Sequence, residues 1–201
     1  MSNSVTPFIH HASSLAEGEL ALNIIQDTIQ AAQVGEEIVF KNLTMFPLFV
    51  SKTVEQEYQT LDEALAAGTG KVTEVSDSGS VPELQFLNEG NRPVLLLDGE
   101  ELVGAKQNRV LNLSILAPAQ KEITIPVSCV EQGRWAQSST EFRSEDRVHY
   151  SRGRSAKAAS VSRSMLSEGS RRSDQSEVWQ NISGKSARMG VSSPTDSMSD
   201  V

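Results

Sequence analysis

The chain has 201 residues, a formal charge of −8, a hydrophobic fraction of 38% and one cysteine. A length of this order favours one domain, able to bury roughly 70% of its unfolded surface without disulfide or metal. The negative balance argues against general nucleic-acid or anionic-membrane affinity, which needs a positive field, and no apolar run reaches the roughly 18–20 residues of a spanning helix.

Met1 to Ser13 shows no periodicity and is expected to be loose. Leu22, Ile25, Ile29 and Ala32 recur at three- and four-residue spacing, which predicts an amphipathic helix within 15–34, stopped at Gly35. Glu37 to Thr44 suits a strand. Pro47 interrupts the apolar run, so Leu48-Phe49-Val50 starts afresh. Thr60-Leu-Asp-Glu63 matches a capping box and predicts a short helix through Ala67, ending at Gly68. Strands are predicted at 71–75, 84–87, 93–97, 102–111, 113–116 and 122–130, punctuated by turn signals at 76–80 and Asp98-Gly99.

After Phe142 the composition shifts to Ser, Arg and Gly. Helices are expected at 156–165 and 175–182, with Val161, Met165, Trp179 and Ile182 on apolar faces; the alternative for this tract is partial disorder. Residues 192–201 read as the start of a further helix with no body, expected of a chain cut short. Together these elements predict an α+β fold: a mainly antiparallel sheet with helices packed on it, within a single domain over 14–191.

Charge is unevenly divided. Residues 1–97 hold 13 acidic and 4 basic side chains; residues 98–201 hold 13 and 14. The second half can therefore receive a defined anion. Two polar constellations lie there.

The first runs from Asp98 to Arg109 and on to Asn112. As one strand, alternation groups Lys106 and Asn108 with Leu102 and Gly104, and sets Gln107 and Arg109 on the opposite face. An edge strand with a solvated face is the bland alternative, and Glu100-Glu101 then form a solvated turn.

The second is Ile125-Pro-Val-Ser-Cys-Val-Glu-Gln-Gly-Arg-Trp135. Alternation groups Ile125, Val127, Cys129 and Glu131, with Ser128 and Val130 opposite. Cys129 among apolar neighbours is more often an inert buried thiol than a nucleophile. As a lone cysteine it also fits the reducing cytoplasm, and Met1 to Phe8 lacks the features of a secretory signal. His10 and His11 lie in the loose start, where a solvent-exposed reading outweighs metal binding, and a general acid/base role for His149 has no support from spacing. No metal or cofactor is indicated, and no phosphate loop, dinucleotide fingerprint or nucleophile elbow occurs.

Taken as one block, Leu97-Asp-Gly-Glu-Glu-Leu-Val-Gly-Ala-Lys-Gln-Asn-Arg109 with Asn112, then Ile125 to Glu131 and Gly133-Arg-Trp135, resembles the ARG and Rhodanese-Phosphatase-superfamily-associated Protein domain, a mainly bacterial and phage family. The likeness covers about residues 35–190. It implies an α+β domain somewhat longer than this chain. It also implies a role near ADP-ribosylglycohydrolases and phosphatases, in handling NAD-derived or ADP-ribosylated molecules.

Three functional readings stay open. In the first, an ADP-ribose-like nucleotide is bound: Lys106, Arg109 and Arg134 take the pyrophosphate, Trp135 stacks the adenine, and Gln107, Asn108 and Asn112 supply polar contacts, the asparagines to the ribose. In the second, the domain is a hydrolase with Glu100, Glu101 or Glu131 as base and Lys106 or Arg109 stabilising negative charge. In the third, it is a non-catalytic scaffold for a protein partner, and both motifs are sheet structure.

Overall fold

The computed structural model describes residues 23, 25–50, 56–76 and 78–201. The loose start expected for 1–13 lies outside them. The chain divides into two compact units, within Met1–Glu55 and Gln56–Val201.

In the first unit, residues 25–31 are helical. Strands β1 (Ala32–Val34) and β4 (Leu48–Val50) pair antiparallel around an inner pair, β2 (Ile38–Phe40) and β3 (Leu43–Met45). The strand expected over 37–44 is thus two strands. Lys41 takes a left-handed backbone at φ 54°, and the chain folds back there. The helix expected up to 34 ends earlier for the same tertiary reason: Ala32 to Val34 are held by the partners Val50 to Leu48.

The second unit is built on a closed six-stranded antiparallel barrel. Its strands are β6 (Gly70–Glu74), β7 (Glu83–Asn88), β9 (Glu100–Gly104), β10 (Arg109–Leu111), β12 (Lys121–Cys129) and β13 (Glu141–Val148), arranged in the order β10-β12-β7-β6-β13-β9. Closure leaves no sheet edge. A smaller sheet places β8 (Val94–Leu96) between β5 (Gln59–Thr60) and β11 (Ile115–Ala117); β5 and β8 run parallel. The expected α+β class with mostly antiparallel pairing holds.

Residues paired across an antiparallel ladder share a face. Val72 faces Phe86 and Phe142; Leu84 faces Ile125; Leu102 faces Arg109. Val72, Leu84, Phe86, Leu102, Leu111, Ile125, Val127 and Phe142 accordingly form one buried interior cluster. Helix α1 (Leu61–Ala66) adds Leu61 and Ala64 to it, and its capping box is formed as expected: Glu63 N–H donates to Thr60 Oγ1, and Thr60 N–H to the Glu63 carboxylate.

Two long helices follow, α2 (Ser151–Glu168) and α3 (Gln175–Met189), each stopped by a left-handed glycine, Gly169 and Gly190. Asp174 caps α3 through Ser176 and Glu177 N–H. Val178 and Ile182 of α3 bury a second cluster with Val110 and Val130 on the outer face of the barrel. Val161 is buried as expected, Trp179 is half-buried and Met165 is largely exposed.

Residues 192–201 do not open a helix body. Met198–Asp200 make one 3-10 turn, capped by Ser197, and Met198 enters the second cluster. Strand β13 has no counterpart among the expected elements. Its sequence, Glu-Phe-Arg-Ser-Glu-Asp-Arg-Val, buries only Phe142 and hides the usual apolar alternation.

Candidate functional site at one end of the barrel

The run expected as one strand over 102–111 is broken into β9 and β10. Gly104 sits at φ 139° and Ala105 at φ 40°, so the backbone turns away and residues 105–108 form a loop. Only glycine fits at position 104: a Cβ there would lie 2.7 Å from the Glu141 carbonyl oxygen. The break changes the facing. Arg109 pairs with Leu102 and with Cys129, so it shares their inward face instead of opposing Leu102. Neither the solvated edge strand nor the solvated glutamate turn is found. Arg109 and Glu101 are fully buried and Glu100 nearly so.

Strand directions then gather one end of the barrel. It consists of Glu74, Gly104, Arg109, Cys129 and Glu141 at strand termini, together with the loops 105–108 and 130–140. Lys106, Gln107, Asn108, Arg109, Glu131, Arg134 and Trp135 all belong to this mouth. The two motifs therefore meet.

Arg134 is the clamp. Its Nε donates to Glu131 Oε2 at 2.8 Å, and Nη2 lies 2.7 Å from the same oxygen. Nη1 donates to the carbonyls of Ala105 (2.8 Å) and Ala136 (3.0 Å), and Nη2 to Asn108 Oδ1 (3.0 Å) and the Gly104 carbonyl (3.3 Å). The guanidinium is consumed in holding the turn. Glu131 is equally committed, accepting also from Asn108 N–H and Thr195 Oγ1. Burial alone would raise its carboxyl, but the hydrogen bonds from Arg134, Asn108 and Thr195 outweigh it and hold it below the usual range. With both oxygens engaged, Glu131 has little capacity left to act as a base.

Beneath the turn, Gln107 Nε2 donates to the Glu131 carbonyl, while its Oε1 accepts from Arg109 Nη1 and from the Cys129 thiol, both at 3.1 Å. Burial pushes the Cys129 thiol up, against a nucleophilic role. Among the described residues, Arg109 Nε and Nη2 have no hydrogen-bond partner, and neither has either carboxylate oxygen of Glu74.

Outward, a cleft of about 390 Å³ is lined by Thr73, Glu74, Ser76, Ala105, Lys106, Gln137, Ser139 and Thr140. Trp135, 51% exposed, lies beside Lys106, whose Nζ is 5.7 Å from the ring centroid; Arg109 Cζ is at 5.8 Å.

A family model described as the ARG and Rhodanese-Phosphatase-superfamily-associated Protein domain matches residues 31–201. The chain belongs to that family. No curated protein and no solved structure matches it. The family's domain thus includes the whole barrel, both long helices and the hairpin of the first unit, and both motifs of the mouth fall inside it.

Three expected site residues of this family member lie elsewhere. Glu100 sits at the opposite end of β9, where its carboxylate accepts from Leu97 N–H and Ser144 Oγ. Asn112, also at that end, accepts from Ser128 Oγ and donates to the Arg171 carbonyl. Glu101 pairs with Val110 on the outer face, bound to Arg147 at 2.9 Å. Burial raises both glutamates above the usual carboxylate range.

Asp98 holds Lys157 and Arg154 of α2 at this far end, and Lys157 Nζ also donates to the carbonyls of Leu111 and Asn112. His149 is buried beside them with no hydrogen-bond partner for its ring nitrogens among the described residues, and burial lowers its pKa to about 4.

Of the cleft residues, the sequence motifs contain Lys106 but not Glu74, Thr73, Ser76, Ser139 or Thr140; Glu74 is the charged one among those missed. Alternation within the expected strand 71–75 groups it with Val72, and a carboxylate on an otherwise apolar face was the available signal. Among the described residues, no His, Cys, Asp and Glu gather as a metal site, and no helix is long and apolar enough to cross a membrane.

Proposed function

We propose that the barrel mouth binds a small anionic molecule with a stacking ring, of the nucleotide kind, with ADP-ribose as its representative. The supporting observation is the conjunction of a half-exposed Trp135, the adjacent Lys106 and a hydroxyl-lined cleft of about 390 Å³, a size within the usual range for ligand sites. Trp135 provides the stacking face, Lys106 the cation for a phosphate, and Thr73, Ser76, Ser139 and Thr140 the polar contacts. Arg134 is reassigned from phosphate ligand to positioning residue, because its N–H groups are taken. The resemblance to a family associated with ADP-ribosylglycohydrolases makes ADP-ribose, NAD and AMP the first ligands to try, in the cytoplasmic setting expected from the lone cysteine.

The hydrolase reading loses support, since Glu100 and Glu101 lie away from the cleft and Glu131 is saturated. A protein-partner reading draws on the first unit, where Phe40, Leu43, Phe46 and Phe49 are exposed.

Thermal unfolding with each nucleotide tests the proposal. A ligand at a hundred times its dissociation constant stabilises the fold by about 2.7 kcal/mol. That gain is expected in the parent chain and lost in Trp135→Ala and Lys106→Ala. A gain that survives both substitutions would remove the ligand from this mouth.

A further inference from the structure

The hairpin of the first unit is apolar in sequence and open in structure. Strands β1 to β4 hold no charged side chain; Glu36, Glu37 and Lys41 sit in the connections between them. Among the described residues, ten large apolar side chains within 34–50 stand exposed. An open strand edge is usually guarded by charge, and a two-stranded ribbon alone is marginally stable in water. This ribbon lacks the charge and needs a cover.

Strand pairing gives it a side. Ile38 pairs with Met45 and Phe40 with Leu43, so these four share one face, while Val39 and Thr44 take the other. The four are between 55 and 67% exposed. Nearer the base, Val34 pairs with Leu48 and Ala32 with Val50, a second wholly apolar set. The exposed side chains together present apolar surface on the order of 1,000 Å². That exceeds the few hundred a monomer ordinarily leaves in one patch and is of the order of the roughly 800 Å² each partner gives to a stable interface.

Whatever covers such a face must itself be apolar, contiguous and nearly free of charge. The other exposed large apolar side chains among the described residues are scattered: two on the helix before β1, the rest over loops, strands and helices of the second unit. The described surface of matching chemistry is therefore the same hairpin face on another copy. A lipid surface is disfavoured, because residues 1–97 hold 13 acidic and only 4 basic side chains.

We propose that the hairpin is a homodimer interface, in which the face of Ile38, Phe40, Leu43 and Met45 packs on the same face of a second copy about a twofold axis. One patch then serves both copies, and the contact closes at two. The interface stands apart from the nucleotide reading of the mouth.

Analytical ultracentrifugation of the full chain across the micromolar range is expected to show a reversible monomer–dimer equilibrium. Phe40→Asp and Leu43→Asp each place a charge within the apolar face, and both should be monomeric where the parent is dimeric. Leu166→Asp, at a position 90% exposed on α2, should leave the dimer intact. Limited oxidation of the parent reads the same contact without a substitution. Met45 should form its sulfoxide several-fold more slowly in concentrated than in dilute solution, while the exposed Met165 and Met189 keep their rates. A parent that stays monomeric throughout would overturn the proposal and leave the face to another protein or to lipid. Open-ended assembly, a dimer that survives both hairpin substitutions, or a Met45 equally reactive in the dimer would overturn it too.

Discussion

Arg134 and Glu131 form a nearly buried pair whose remaining valences are filled by backbone carbonyls, an amide and a threonine. Removing one partner strands the other, at a cost of about 3–5 kcal/mol. Arg134→Ala is therefore expected to lower stability by that order in urea titration, and to weaken ligand binding by releasing the 104–108 turn. The Glu131 carboxyl is depressed on folding, so its stabilising contribution is complete above the unfolded value near 4.5 and disappears as pH falls through the folded value.

His149 acts over a different range. The unfolded chain takes up its proton near pH 6.5, while the folded chain resists until about 4. Stability is thus expected to decline as pH drops from 6.5 toward 4, by about 3 kcal/mol in all. Chemical denaturation across that interval should show the decline in the parent and a flatter profile in His149→Gln.

At the scale of elements, the reversal after β9 decides which side chains meet. Period-two alternation across 102–111 is a sound expectation for an unbroken strand. It fails here because alternation carries no information about backbone handedness at Gly104 and Ala105. Once the chain turns there, Arg109 changes face and joins Leu102 and Cys129. Gly104→Ala is expected to cost about 1–3 kcal/mol from the strained backbone, before any clash with the Glu141 carbonyl. A melting curve would register it, and an unchanged melting temperature would mean that the turn is not required.

Other elements were legible because their signals are local. The Thr60–Glu63 capping box, the Asp98-Gly99 turn and the inward set Ile125, Val127 and Cys129 each rest on a few adjacent residues. Strand β13 was not legible, since its partners β6 and β9 supply the pairing that its own charged sequence does not advertise. The 3-10 turn at Met198 was hidden likewise; it depends on contact with Val130, whose carbonyl oxygen accepts from Met198 N–H at 2.8 Å.

For the second unit as a whole, the barrel has two unlike ends. At the far end, Lys157 of helix α2 is bound to Asp98 and to the carbonyls of Leu111 and Asn112, which locks the helix to the sheet. At the mouth, loops from both sequence motifs surround a cleft, with the tail residue Thr195 bracing Glu131. The sequence block 97–135 brings residues of both its motifs together at the mouth, because both motifs flank strands that pair with each other. It could not separate mouth from base, as Glu100 and Arg109 lie close in sequence yet at opposite ends of antiparallel strands.

The most direct measurement is backbone-amide NMR mapping of the chain titrated with NAD and with ADP-ribose. Shifts are expected in the amides of 104–108, 131–140 and Glu74, while 98–100, 111–114 and 120–121 stay in place. Shifts concentrated at the far end, or none at the mouth at saturating nucleotide, would contradict the proposed site.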